Sequence, residues 1–228
     1  MVITLAPSDL DYAPLKCKRC FYLKKKQKLS PGGFPPPVFS NFDVVQKDYF
    51  KRLNTKDLTS DLPDGRFLQQ NELPGRIVSS ELEDLKKRKF ILGGTPDIVI
   101  KFNDNSYGIL DFKTTNLSDT KSDNYKYQLE AYAQIFTYPG AIKSGKTPKL
   151  QPITHLGILQ FFPKKILSHE EYNANLQMQM SYSPLKRNVD DFYKHITFII
   201  DILNSDKIPN FTDECAQCNF TKNSLNYK

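Results

Sequence analysis

Three charged residues in the middle of the chain have the types and spacing to act on a phosphate. Asp97 follows Pro96 at the head of an apolar run, Ile98–Phe102, while Asp111 and Lys113 lie inside the next run, Tyr107–Thr114. Residues Asn103–Ser106 between them read as a tight turn, so the two runs form a hairpin that brings Asp97 toward Asp111. Asp111 and Lys113 are two apart and share one face of their strand. Two carboxylates meeting there make an oxygen-rich site for a hard divalent ion, Mg2+ or Mn2+. A lysine beside them orients a water and offsets charge developing on a phosphate. That is the equipment of metal-assisted phosphodiester hydrolysis. Ile109, Leu110 and Phe112 surround Asp111, and Ile98 and Val99 follow Asp97. Acids embedded in buried-strand sequence need partners or a metal, which favours a site over solvated strand ends.

The four cysteines form a second constellation. Cys17 and Cys20 stand near the start, Cys215 and Cys218 near the end, each pair with CxxC spacing. The N-terminus lacks a continuous apolar export segment, so a cytoplasmic, reducing location is expected, where paired CxxC motifs favour metal over disulfides. Four thiolates meeting at one point suit either tetrahedral Zn2+ or an iron–sulfur cluster. A shared site of this kind would clip the segments 1–30 and 205–228 together.

The elements that must position these residues follow from patterning. Phe90–Phe102 reads as a strand, a break at Gly93–Gly94 and a second strand, with Tyr107–Thr114 as the return. Asn124–Thr137 and Val189–Leu203 carry apolar positions at helical spacing, and Thr154–Phe162 reads as a further strand. Phe39–Leu53 is near helical, with Phe42, Val45, Tyr49, Phe50 and Leu53 as its apolar positions, and Ser8–Leu10 looks like a helix start leading into Cys17. A Pro/Gly-rich loop is expected at 30–38. Strands flanked by helices on both sides predict an α/β domain over 1–228, with a central mixed β-sheet.

Composition narrows the partners. The 228 residues include 16 Phe and 12 Tyr, enough for a sizeable core, and no run approaches the ~18 apolar residues of a membrane span. Net charge is +7; seven of the 13 residues from Lys16 to Lys28 are basic, and Lys86–Lys89 form a second run. Such runs are either solvated surface or a polyanion footprint.

Taken together, Pro96-Asp97 followed by Asp111-Phe112-Lys113 resembles the signature of the PD-(D/E)XK nucleases. Gln128 and Tyr132, four residues apart and so on one helix face, resemble the Q-x-x-x-Y element of the RecB-like branch of that superfamily. The framing cysteines resemble those of its iron–sulfur-bearing members, the CRISPR-adaptation nucleases and the AddB nuclease domain. The resemblance implies a restriction-endonuclease-like core acting on DNA with single strands or free ends, as an exonuclease. It implies a metal held by Asp97, Asp111 and the Phe112 carbonyl, a water positioned by Lys113, and support from Gln128 and Tyr132. It further implies a 4Fe–4S cluster on Cys17, Cys20, Cys215 and Cys218, and a protein partner such as a helicase or a CRISPR-adaptation-like complex. Thr114 and Thr115 would lie near phosphate, and Phe21 and Tyr22 are available for base stacking or for core packing.

The chain departs from the pattern in three ways. Cysteines split two and two rather than one and three, with Asn223 and Ser224 where a last cysteine is expected, which leaves zinc open. The metal-binding histidine of an early helix is missing, since His155, His169 and His195 all follow the motif; Asp43 is its stand-in, with Glu72 and Glu81 behind it. No helicase motor is expected in these 228 residues, so processive unwinding would need another protein. Two other readings remain open, a catalytically idle DNA-binding subunit and a trimming factor active only in a complex. Residues Gly140–Thr147 satisfy the GxxxxGK[ST] phosphate-loop pattern. A helix precedes them and Pro148 and Pro152 follow, so the strand before and helix after that nucleotide binding requires are not expected.

Overall fold

The computed structural model describes residues 2–11, 16–29, 37–50, 52–69, 71–115, 123–142 and 145–224. The loop expected at 30–38 lies outside them except for its last two residues, which open a helix. Strand β1 (Ile3–Leu5) is followed by helices α1 (Lys18–Lys26), α2 (Pro37–Phe50) and the short α3 (Thr55–Leu58). Next come β2 (Gly65–Phe67), β3 (Ile77–Val78), β4 (Leu82–Glu83), β5 (Lys89–Gly94), β6 (Ile98–Phe102), β7 (Tyr107–Thr114) and helix α4 (Lys126–Thr137). Two-residue strands β8 (Ala141–Ile142) and β9 (Gly145–Lys146) lead to the long strands β10 (Ile153–Glu170) and β11 (Asn173–Leu185), then α5 (Val189–Asn204) and α6 (Ala216–Ser224).

The main sheet is mixed, in the order β11-β10-β7-β6-β2, and only β7 and β10 run parallel within it. In a smaller sheet β1 lies parallel to β5, while β3 and β4 pair antiparallel with β5. The β6–β7 turn is closed by Asn105, which takes a left-handed conformation (φ 65°) that asparagine tolerates well.

Period-two alternation distributes the strand residues between two cores. Val99, Ile109, Leu156 and Ile158 pack into the larger one with α4, α5 and α1; Ile98, Ile100, Leu110, Phe112, Leu159 and Phe161 pack into the other with Phe50, Leu62 and Phe67. Both faces of the central strands are therefore covered, which is why they read as nearly continuous apolar runs. Every residue of α4 from Gln128 to Phe136 is buried. Along α5, Phe192, Ile196, Ile199, Ile200 and Leu203 all enter the core, and Asn188 caps its start by accepting the Asp191 N–H at 3.0 Å.

Several expectations are corrected. Ser8 and Asp9 lie in a helical turn, and residues 12–15, which would lead on toward Cys17, lie outside the described residues. Pro7–Asp9 is a single 3-10 turn, closed because Asp9 accepts the Ala6 N–H at 2.7 Å and holds Lys25 at 2.6 Å. Helix α1 begins at Lys18, with Cys17 as its cap. Gly94 lets this N-terminal turn approach: a Cβ there would lie 2.8 Å from Pro7 and 3.3 Å from Tyr132. On α2 the apolar positions Val45 and Tyr49 are exposed, and the helix turns Gln46 and Phe50 inward. Phe21 and Tyr22 are buried, so they pack rather than stack on bases. The Lys86–Lys89 run makes ion pairs with Asp201, Glu83, Asp84 and Glu81, which offset its local charge. Finally, the strand expected at Thr154–Phe162 runs on to Glu170 and returns as β11, an exposed hairpin arm.

Candidate active site

The β6–β7 hairpin does bring Asp97 and Asp111 together. Asp97 sits in the break between β5 and β6, and its Oδ2 accepts the Phe112 N–H at 2.9 Å, which ties it across to β7. Asp111 projects from the β7 face that packs beneath α4. There its Oδ1 accepts from Gln128 Nε2 at 2.9 Å, and its Oδ2 pairs with Lys113 Nζ at 2.5 Å. Gln128 also accepts from Lys113 Nζ at 3.2 Å through its Oε1, so one amide orients both the acid and the base of the DxK pair. Tyr132, one helical turn on, donates to the Thr95 carbonyl at 2.8 Å and so fixes the backbone just before Pro96-Asp97. The Lys113 ammonium lies 4.6 Å from the centre of the Tyr125 ring.

The electrostatics are those of crowded acids out of water. Burial, then the nearby Asp97 carboxylate, pushes the Asp111 carboxyl above its usual range, against the pull of Lys113. Burial opposes the charge of Lys113, but Asp111 and Asp11 outweigh it and hold the ammonium above the ordinary lysine value. Burial likewise raises Tyr132, with Asp111 and Asp97 adding to the effect. Two carboxylates held together in a largely buried place fit a divalent cation that would relieve their repulsion.

Two further residues stand at this site that the sequence reading did not find. Lys47 on α2 bridges Asp97 Oδ1 at 2.7 Å and Asp43 Oδ2 at 2.8 Å, so Asp43 reaches the site through a lysine. The i,i+4 spacing of Asp43 and Lys47 was the available signal. Burial lowers Lys47, but the two acids outweigh it and its charge is held firmly. The second is Asp11, buried beside Lys113 and Asp111, where desolvation pushes its carboxyl up to about 8; no periodicity marks it. Glu72 and Glu81 are committed elsewhere, to Arg66 at 2.7 Å and Lys89 at 2.5 Å. Thr114 is met by Gln46 Nε2 at 3.5 Å at the end of β7.

The four cysteines also converge. Cys17 Sγ lies 3.4 Å from Cys218 Sγ, and Cys20 Sγ lies 3.7 Å from both Cys215 Sγ and Cys218 Sγ. All four sulfurs fall within 4.8 Å of one another, and no other three or more His, Cys, Asp or Glu ligand atoms gather so closely among the described residues. Cys17 caps α1, accepting the Cys20 N–H, and Cys215 and Cys218 flank the start of α6. This donor set fits a thiophilic metal.

The remaining motifs have structural roles. Residues 140–147 hold the β8–β9 ladder instead of a strand–loop–helix, and Thr147 Oγ1 is bonded to the Val78 backbone. His195 is buried, stacked on Tyr127 at 3.7 Å and within 2.7 Å of the Leu10 carbonyl; His155 meets Thr154, and His169 is exposed on the arm. No helix among the described residues is long and apolar enough to cross a membrane.

Comparison with known proteins agrees with this geometry. No curated protein matches the sequence. Among solved structures, one titled "Crystal structure of SSO0001" superposes with a TM-score of 0.52 at 14% identity, covering 96% of this chain and 84% of that one; it shares the fold. The model of the PD-(D/E)XK nuclease superfamily matches residues 45–222, well over half of the chain. With its DxK hairpin and flanking helices in place, the chain belongs to the PD-(D/E)XK nuclease superfamily.

Proposed function

We propose that this protein is a divalent-metal-dependent DNA exonuclease acting on single strands or free ends. The observation that carries the reading is the pairing of Asp97 with buried Asp111 beside the Lys113 ammonium. Asp97, Asp111 and the Phe112 carbonyl would hold Mg2+ or Mn2+. A bound ion supplies Lewis acidity toward a phosphate oxygen and the attacking water. Lys113, kept charged, orients that water and offsets negative charge building on the phosphate. Gln128 keeps Lys113 and Asp111 in register, and Tyr132 holds the strand break from which Asp97 projects.

The cysteine site, in this reading, is structural and joins the N- and C-terminal segments within one domain spanning 1–228. Three of its sulfur pairs lie 3.4–3.7 Å apart and all four sulfurs fall within 4.8 Å of one another, which favours a single ion. A tetrahedral Zn2+ with Zn–S of about 2.3 Å sets its sulfurs roughly 3.8 Å apart. In the iron–sulfur cluster implied by the resemblance, each cysteine binds a separate iron corner, which spreads the sulfurs several ångström further.

The test is cleavage of labelled linear and circular single-stranded DNA with Mg2+, Mn2+ or EDTA, using protein purified anaerobically and analysed for zinc and iron. Metal-dependent loss of linear DNA, with circular DNA intact, is expected. Binding without cleavage in every metal would leave a DNA-binding subunit instead.

A further inference from the structure

Asp11 is a buried carboxyl group that the nuclease reading leaves unused. It lies two residues beyond the Pro7–Asp9 turn, is 9% exposed, and its Oδ1 has no hydrogen-bond partner among the described residues. An orphaned buried polar atom costs about 1–3 kcal/mol, so its position calls for a reason. Its neighbours supply one. The Gln128 N–H, in the open first turn of α4, favours the charged form of this carboxyl, and Lys113 and Asp111 are the charged side chains that act on it most.

Lys113 is thus enclosed. Its ammonium meets Asp111 Oδ2 at 2.5 Å, Gln128 Oε1 at 3.2 Å and the Tyr125 ring at 4.6 Å, with Asp11 and Asp97 as the other acids in its field. Asp11 does not complete a three-acid ligand set, because among the described residues only the four cysteines gather three or more ligand atoms closely. Nor is it free to drift. The preceding Leu10 is fully buried, its carbonyl meets His195 at 2.7 Å, and Asp9 holds Lys25 on α1.

We propose that Asp11 is the positioning residue of Lys113: when a divalent cation claims Asp111, the Lys113 ammonium passes from Asp111 Oδ2 to the unpartnered Oδ1 of Asp11, whose carboxyl gives up its proton to solvent, and stays beside the site of attack. Without such an acceptor, the cation that occupies Asp111 would repel the lysine it needs. The assignment rests on the nuclease reading for what Lys113 does, and on Asp111 as a ligand for when it moves.

The full-length chain, Asp11→Asn and Asp11→Glu are compared by acetylation of Lys113 with acetic anhydride, read by mass spectrometry with and without Mg2+. Mn2+ affinity is followed by electron paramagnetic resonance. In the unsubstituted chain Mg2+ should leave Lys113 labelling within about twofold, whereas in Asp11→Asn it should raise labelling roughly tenfold, with Asp11→Glu restoring protection. Mn2+ affinity should stay within about threefold, and kcat of Asp11→Asn should fall roughly 10- to 100-fold at constant KM. Labelling of Asp11→Asn that ignores Mg2+ overturns the proposal. So does a loss of Mn2+ affinity matching that of Asp97→Asn, which would make Asp11 a ligand. A chain that binds Mn2+ but cleaves nothing sinks the nuclease reading alone, since the labelling result still decides the role of Asp11.

Discussion

The carboxylate site and the cysteine site gather their groups by opposite routes. In the first, Asp97, Asp111 and Lys113 come from one hairpin and Gln128 and Tyr132 from the helix that follows; in the second, the sulfurs that touch come from residues 195–201 positions apart. The acids are already held by the fold, Asp97 by the Phe112 N–H and Asp111 by Gln128 and Lys113. A cation there completes chemistry on a finished scaffold. Around the sulfurs the cross-ties are sparser, chiefly Arg19 to the Pro209 carbonyl at 3.0 Å and Tyr22 to the Ser205 carbonyl at 3.3 Å. A metal bound there contributes folding energy, because the unfolded chain has no preformed site. One site should govern rate and the other stability.

The sharpest test of that division is Lys113→Ala. Cleavage should fall by about 10²- to 10⁴-fold, the range for a positioned proton-transfer or charge-stabilising group, while the melting temperature hardly moves. A collapse of melting would erase the contrast. Cys218→Ser should do the reverse. Losing one buried ligand should cost about 3 kcal/mol, which lowers the melting temperature by roughly 10 °C in a chain of this size. Metal content should drop with it, and differential scanning calorimetry with metal analysis reads both.

A smaller effect separates the acids from their cation. In metal-free protein Asp11 is raised from 3.8 to about 8, so between those values the folded chain keeps a proton that the unfolded chain has released. Its stabilising contribution is complete below about 4 and is lost as pH rises toward 8, with Asp111 acting in the same direction. Melting curves across pH 5–8 should therefore decline, and Asp11→Asn should flatten the decline. Smallest of all is Tyr172→Ser at the arm tip, where the ring is 99% exposed; its stability should stay within about 0.5 kcal/mol in urea titrations.

Much of the site was legible because its parts are local. A two-residue strand period puts Asp111 with Lys113, a four-residue helical step puts Gln128 with Tyr132, and both hold in the fold. The arm beyond Phe162 was not legible. Residues 163–170 are all exposed, so no face is buried and no alternation is imposed on the sequence. On α2 the apolar pattern held only in part: Phe50 is buried and Leu53 beyond it packs on the core, but Val45 and Tyr49 are exposed, and the helix gives inward positions near the site to Gln46 and Lys47.

The sequence by itself determined which residue types meet on the β6–β7 hairpin, which two cysteine pairs frame the chain, and that strands flanked by helices would carry them. Backbone periodicity and close spacing suffice for that. Only the tertiary structure decided that Asp11 and Lys47 join the acids, and that four distant sulfurs gather within 4.8 Å of one another. Those meetings depend on how helices and chain ends pack against the sheet, and long-range packing leaves no period in the residues it brings together.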